Sequence, residues 1–214
     1  MDSSSTAREG KASRNKRLKR EALLESAYEL FTQKGFAETT ISDITQKAGV
    51  AKGTYYLYFK DKFDIRNHLI SIKAEEALRR AYEAMMESGR EVPITDVEEA
   101  VVFFAENIMK QLAKDPQLVS FISRNLAWGL LRPNIETVGP FAPTSEESLY
   151  DVLKYLFRNS PVKYRDPEIM LYMVVEFVGA ACASAVLDGK PRSLEELTPY
   201  LLDGVRGIIR SQKV

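Results

Sequence analysis

One cysteine, one histidine and one tryptophan are spread through 214 residues, and each scarcity closes off a class of chemistry. Cys182 alone cannot make an intrachain disulfide or a thiolate-rich metal site, so the chain fits a reducing compartment and the thiol reads as core packing. His68 has no second histidine with which to share a metal. The chain also lacks a glycine-rich phosphate loop, a paired-histidine motif and a serine nucleophile elbow. No catalytic residue, metal or cofactor is therefore predicted. No apolar run approaches the roughly 18 residues that cross a bilayer, and the start, Met1-Asp2-Ser3-Ser4-Ser5, has no signal-peptide pattern. The expectation is a cytoplasmic protein without a membrane partner. Net charge is missing too, with 30 basic and 30 acidic side chains.

The balance hides an asymmetry. Up to Lys62 the chain holds 12 basic and 8 acidic residues, which leaves 18 and 22 for the remainder, so the N-terminal end is the basic one. That end carries the most informative stretch, Thr39 to Lys62. Thr39 or Thr40 can cap a helix start, and Ile41, Ile44 and Ala48 recur at the spacing of one buried helical face. Gly49 supplies the positive φ that ends this helix, and Val50 plugs the turn. A second helix is predicted from Lys52 to Phe59, with Tyr55 and Phe59 facing inward. Lys52, Gly53, Thr54, Tyr56 and Tyr58 are then left outside, where an amine, an approachable backbone and hydroxyls suit phosphate and base-edge contacts. Asp61 caps a third helix, and the Lys62 amine is expected beside the same surface.

The run Thr-Thr-Ile…Ala-Gly-Val-Ala-Lys-Gly-Thr-Tyr-Tyr-Leu-Tyr-Phe-Lys-Asp-Lys closely resembles the DNA-binding domain of the TetR family of bacterial transcriptional repressors, over roughly residues 16–65. The resemblance implies that Lys52, Gly53 and Thr54 meet base edges in the major groove. It implies phosphate contacts for Tyr56 and Tyr58, the second often histidine in relatives, and a backbone clamp made by Thr39 or Thr40 with Lys62. It further implies a homodimer on a double-stranded, palindromic operator and a small-molecule effector bound in the C-terminal domain.

Along the chain, residues 1–15 read as a disordered basic arm, either a solubilising tail or a sampler of phosphates, and 16–62 as the helix-turn-helix DNA-binding domain. Residues 63–214 read as a helical ligand-binding and dimerisation domain. Helix 1 is expected from Lys16 to Lys34 and a long helix from Asp61 toward Met86. Further helices are expected from Thr95 or Asp96, over Gln117–Leu131, Ser145–Asn159, Asp166–Leu187 and Ser193–Gln212, with 133–144 a loop. No strand is predicted; the fold class is all-α.

Within the body, Gly179-Ala180-Ala181-Cys182-Ala183-Ser184-Ala185 allows close helix approach. With the last helix it is expected to form a four-helix dimer interface through Ala181, Ser184, Ala185, Leu201, Val205, Ile208 and Ile209. Phe104, Phe121, Trp128, Tyr150, Tyr172, Met173 and Phe177, with Arg124, Asn125 and Glu176 as polar groups, are expected to line a pocket for a lipophilic or aromatic ligand. The reading is a DNA-binding repressor released by that ligand. Its alternatives are an activator or ligand-independent regulator of the same fold and, from other classes, a helical protein-interaction module or an enzyme.

Overall fold

The structure is a computed structural model that describes residues 10–88, 96–122 and 156–214. Among these, residues up to Arg66 form one compact unit and residues from Asn67 onward a second. No strand occurs among the described residues; Tyr164 and Lys213 make one isolated antiparallel bridge.

The first unit opens with α1, Lys11–Gln33. Residues 11–15, expected in the arm, are therefore helical: alanine, lysine and arginine are good helix formers, and the register of the helix simply extends through them. Residues 1–9 lie outside the described ones. Leu23, Leu24, Ala27 and Phe31 form the buried stripe, and Gly35 at φ 87° ends the helix. A short helix α2, Gly35–Glu38, follows that was not predicted from the sequence. Thr40 caps α3, Ile41–Lys47: its hydroxyl accepts from the Asp43 amide at 3.1 Å, and Asp43 Oδ2 accepts from the Thr40 amide at 2.8 Å. Gly49 at φ 66° then turns the chain, with the Val50 amide donating to Thr45 O. The next helix, α4, is only Lys52–Tyr55, not the eight residues expected. Tyr56–Tyr58 form a tight turn held by amides donated from Leu57 to Thr54 O, Tyr58 to Tyr55 O and Phe59 to Tyr55 O. With Ala51 as N-cap, no side chain caps α4, which is one reason so short a helix depends on tertiary packing.

Helix α5, Lys62–Glu87, contributes residues to both units. Asp61 Oδ1 accepts from the Asp64 amide and Asp64 Oδ2 from the Lys60 amide, a reciprocal cap that fixes where it starts. In the second unit, Asp96 caps α6, Val97–Ala113, and α7 spans Pro116–Ile122. Of the helix expected over Gln117–Leu131, the part after Ile122 lies outside the described residues, as does the 133–144 loop. Residues 156–159 are helical, the end of the helix expected to reach Asn159. Asp166 caps α8, Pro167–Asp188, and Gly189 at φ 64° ends it. Ser193 and Glu196 form a capping box at α9, Leu194–Ser211.

Helices α6, α8 and α9 share one core, centred on Val97, Met109, Met170, Cys182, Val205 and Ile209. Burial pushes the Cys182 thiol up to about 11, so it stays protonated as an apolar filler. One edge is closed by charge. Glu98 Oε1 accepts from Arg210 Nε at 2.9 Å and pairs with Nη2 at 2.7 Å, while Oε2 accepts from Lys213 Nζ at 2.9 Å. These bonds, the Arg210 bond foremost, hold the Glu98 carboxyl below the usual glutamate range.

Two expectations about the body are corrected here. Ala185, Leu201, Val205 and Ile209, assigned to the dimer face, are buried inside the single chain, Val205 and Ile209 at 0% exposure. Conversely Tyr172, Met173, Glu176 and Phe177, assigned to a pocket, point outward on α8. The physical reason is that α8 is apolar nearly all round, so composition alone does not say which side meets α6 and α9. Ser184 is exposed, whereas Ala181 and Ile208 are half-buried against the core. Phe104 packs with Leu78, Ala81 and Met85, and Phe121 is half-buried on the main core. Arg124, Asn125, Trp128 and Tyr150 lie outside the described residues. Helix α8 also overturns the statement about apolar runs: by length and composition it could cross a bilayer, with mean hydropathy 2.0 over its best window.

Candidate nucleic-acid interface

The α3–turn–α4 unit is held from beneath by aromatic packing. Tyr55 and Phe59 are buried with ring centroids 5.6 Å apart, and the Tyr55 hydroxyl donates to Asp61 O at 2.8 Å, tying the end of α4 to the start of α5. Burial, followed by the Asp61 charge, raises the Tyr55 pKa, so the phenol remains a donor throughout the physiological range. Around α3, Lys34 Nζ lies 2.7 Å from Asp43 Oδ2, and Lys47 Nζ 2.7 Å from Glu29 Oε2. The Lys34 bond, then the Thr40 amide, bring the Asp43 carboxyl down to about 2. The cap of α3 is thus charged and closed at neutral pH.

On that support, Thr40, Lys52, Gly53 and Tyr56 are exposed, and Thr54 and Tyr58 half-buried. The Thr40 hydroxyl accepts within its cap and keeps its proton for another partner. A Cβ at Gly53 would meet nothing within 4 Å, so the backbone there is open to close approach. Tyr56 stands edge-on to Tyr55 at 5.5 Å, which orients its ring while its flank stays in solvent.

Two residues expected on this surface are elsewhere engaged. Thr39 is fully buried, its hydroxyl donating to Gly35 O at 2.8 Å and Leu30 O at 3.3 Å; of the two candidate threonines only Thr40 is outward. Lys62 does not hold a free amine. Its Nζ donates to Phe36 O at 2.7 Å, Thr39 O at 2.8 Å and Ala37 O at 3.2 Å, and lies 4.4 Å from the Phe36 ring centre. All three ammonium protons serve the carbonyls at the end of α2, making Lys62 a fastener of the head. Sequence reading missed this because it did not foresee α2. It also passed over Leu57, 77% exposed in the turn after α4.

A short capped helix, a glycine turn and a second helix with an open polar face define a helix-turn-helix head, here on an all-α chain. Comparison with known proteins narrows the class. Residues 23–69 match the family model described as bacterial regulatory proteins, tetR family, so the head carries the DNA-binding domain of that family. An HTH-type transcriptional regulator of Bacillus subtilis (strain 168), YvdT, uncharacterized, is 47% identical over 60 residues, 28% of this chain and 29% of that protein. The fatty acid metabolism regulator protein of the same strain is 36% identical over 76 residues, 36% and 39% of the two chains. The chain thus matches well under half the length of these curated relatives. Whole-chain likeness is structural. FadR of Bacillus subtilis, solved in complex with stearoyl-CoA, aligns with TM-score 0.52 at 19% identity, over 88% of this chain and 98% of that one. A TetR regulator from Rhodococcus sp. RHA1 aligns with TM-score 0.54 at 18% identity, over 93% and 97%. At those identities the shared property is the fold.

Proposed function

We infer that the chain is a DNA-binding transcriptional repressor, acting as a homodimer on a palindromic operator and released by a lipophilic effector. The observation that carries the DNA reading is the outward face of α3 and α4, where Thr40, Lys52, Gly53 and Tyr56 stand clear above the buried Tyr55 and Phe59. Lys52, Gly53 and Thr54 take the base edges, and Thr40, Tyr56 and Tyr58 the phosphates. Lys62 acts through the head's geometry rather than by touching DNA.

The homodimer reading shifts to the outer faces of α8 and α9. Tyr172, Met173, Phe177 and Tyr200 are large and exposed, and a Cβ at Gly204 would stand only 2.6 Å from Phe177 Cζ, so the missing side chain at Gly204 lets the Phe177 ring lie against α9. Pairing it with a second copy covers what the single chain leaves in water, as an isologous interface requires. The same cover accounts for an apolar helix only 39% buried within one chain.

For the effector, stearoyl-CoA is the first lipophilic probe, because it is the molecule named for the FadR structure. It releases DNA only if it binds the free dimer more tightly than the operator-bound one, a coupling of typically about 1–3 kcal/mol. The test is duplex selection from a random pool by the full chain, followed by affinity against salt. A palindromic product with a slope of several released ions supports the reading; salt-independent binding, or no enrichment, ends it.

A further inference from the structure

We propose that Leu57 is a base-reading residue that selects thymine through its C5 methyl group. The proposal rests on the DNA reading above and adds a contact outside the polar set. Leu57 is the most exposed large apolar side chain among the described residues of the head, at 77%. A lone exposed leucine is ordinary on a protein surface; the surroundings of this one are not. Its amide donates to Thr54 O at 3.2 Å, and Tyr56 before it keeps helical backbone angles, φ −69° and ψ −9°. Leu57 therefore sits in the tight turn that closes α4, next to the exposed Tyr56 and on the same short segment as Lys52 and Gly53.

Gly53 leaves open space where a side chain would stand, so a duplex can come close to the backbone there, and Leu57 stands in solvent in the turn that follows. Neither Gly53 nor Leu57 carries a hydrogen-bonding side-chain atom. Among base edges in the major groove, each base pair presents donors and acceptors, and the one bulky apolar group is the thymine methyl. A leucine pressed against N4 of cytosine or O6 of guanine strips water from it and returns nothing. Against a methyl it gains apolar burial. The chemistry of the position thus favours one base and penalises the others, while the exposed Lys52 and Tyr56 supply polar contacts.

The experiment takes the duplex selected by the full chain and replaces its thymines by deoxyuridine one symmetric pair at a time, which removes the methyl and nothing else. Wild type should lose about fourfold per methyl, hence about fifteenfold for the pair, at one position in the half-site. Leu57→Ala should bind the thymine and deoxyuridine forms of that position equally, and respond like wild type at every other thymine. Because the side chain is in solvent, the variant should match wild type in thermal midpoint and salt slope. A deoxyuridine scan in which wild type and Leu57→Ala respond alike at all positions overturns the assignment while leaving DNA binding intact. If no duplex is selected at all, the DNA reading fails first and Leu57 with it.

Discussion

Replacing Lys62 by methionine separates a fastener from a phosphate clamp. Methionine keeps an apolar chain of similar length and removes the ammonium, with its place over the Phe36 ring and its bonds to Phe36 O, Thr39 O and Ala37 O at 2.7, 2.8 and 3.2 Å. A net hydrogen bond contributes about 1 kcal/mol, and more from a charged donor. The two short bonds set the scale, since the longest is weak and the half-buried site lets water replace part of what is lost. The expected cost is about 2 kcal/mol, localised in the head, or about thirtyfold in an opening equilibrium. Hydrogen exchange followed by mass spectrometry on peptides covering residues 35–45 reads this directly, because those amides belong to the segment that Lys62 fastens. On selected duplex the folded variant should keep the wild-type salt slope. Unchanged exchange together with a slope shallower by about 0.9 per chain would refute the reasoning, since that is the signature of one lost phosphate contact.

Core and outer face of the last two helices should respond oppositely. Ile209→Ala, at a fully buried site, is expected to cost about 2–5 kcal/mol of stability, whereas Met173→Asp, at an exposed one, should leave the fold intact and give a single-chain mass in light scattering at micromolar concentration. A dimeric Met173→Asp would remove that face from the interface. The Glu98 cluster sets an acid limit. Because its folded pKa is depressed, its contribution is full above the ordinary glutamate range and is lost as pH falls through the folded value. Denaturant midpoints should therefore fall on acidification below that range, and Glu98→Gln should flatten this limb; parallel acid limbs in the two proteins would show that the carboxylate is not responsible.

Helix starts were legible because caps are local. Asp61, Asp96, Asp166 and Ser193 each sit within three residues of the amide they accept from, so a short window of sequence carries the whole signal. The glycine turn at Gly49 and the inward Tyr55 were readable for the same reason. What failed was phase and distance. Met170 and Val174 are buried while Tyr172 and Met173 between them are exposed, and an α8 apolar on every side offers no sequence cue for choosing between those faces.

By itself, then, the sequence determined that this chain is helical, where most of its described helices begin, and that residues 39–62 carry a helix-turn-helix, because these depend on backbone preferences within a few residues. Only the tertiary structure decided that Lys62 is consumed by carbonyls 23 to 26 residues away, that Thr39 is plugged into the α1–α2 corner, and that Val205 and Ile209 belong to the core while Tyr172 and Phe177 face out. Each of those depends on which distant group arrives opposite a side chain, and no local pattern encodes that.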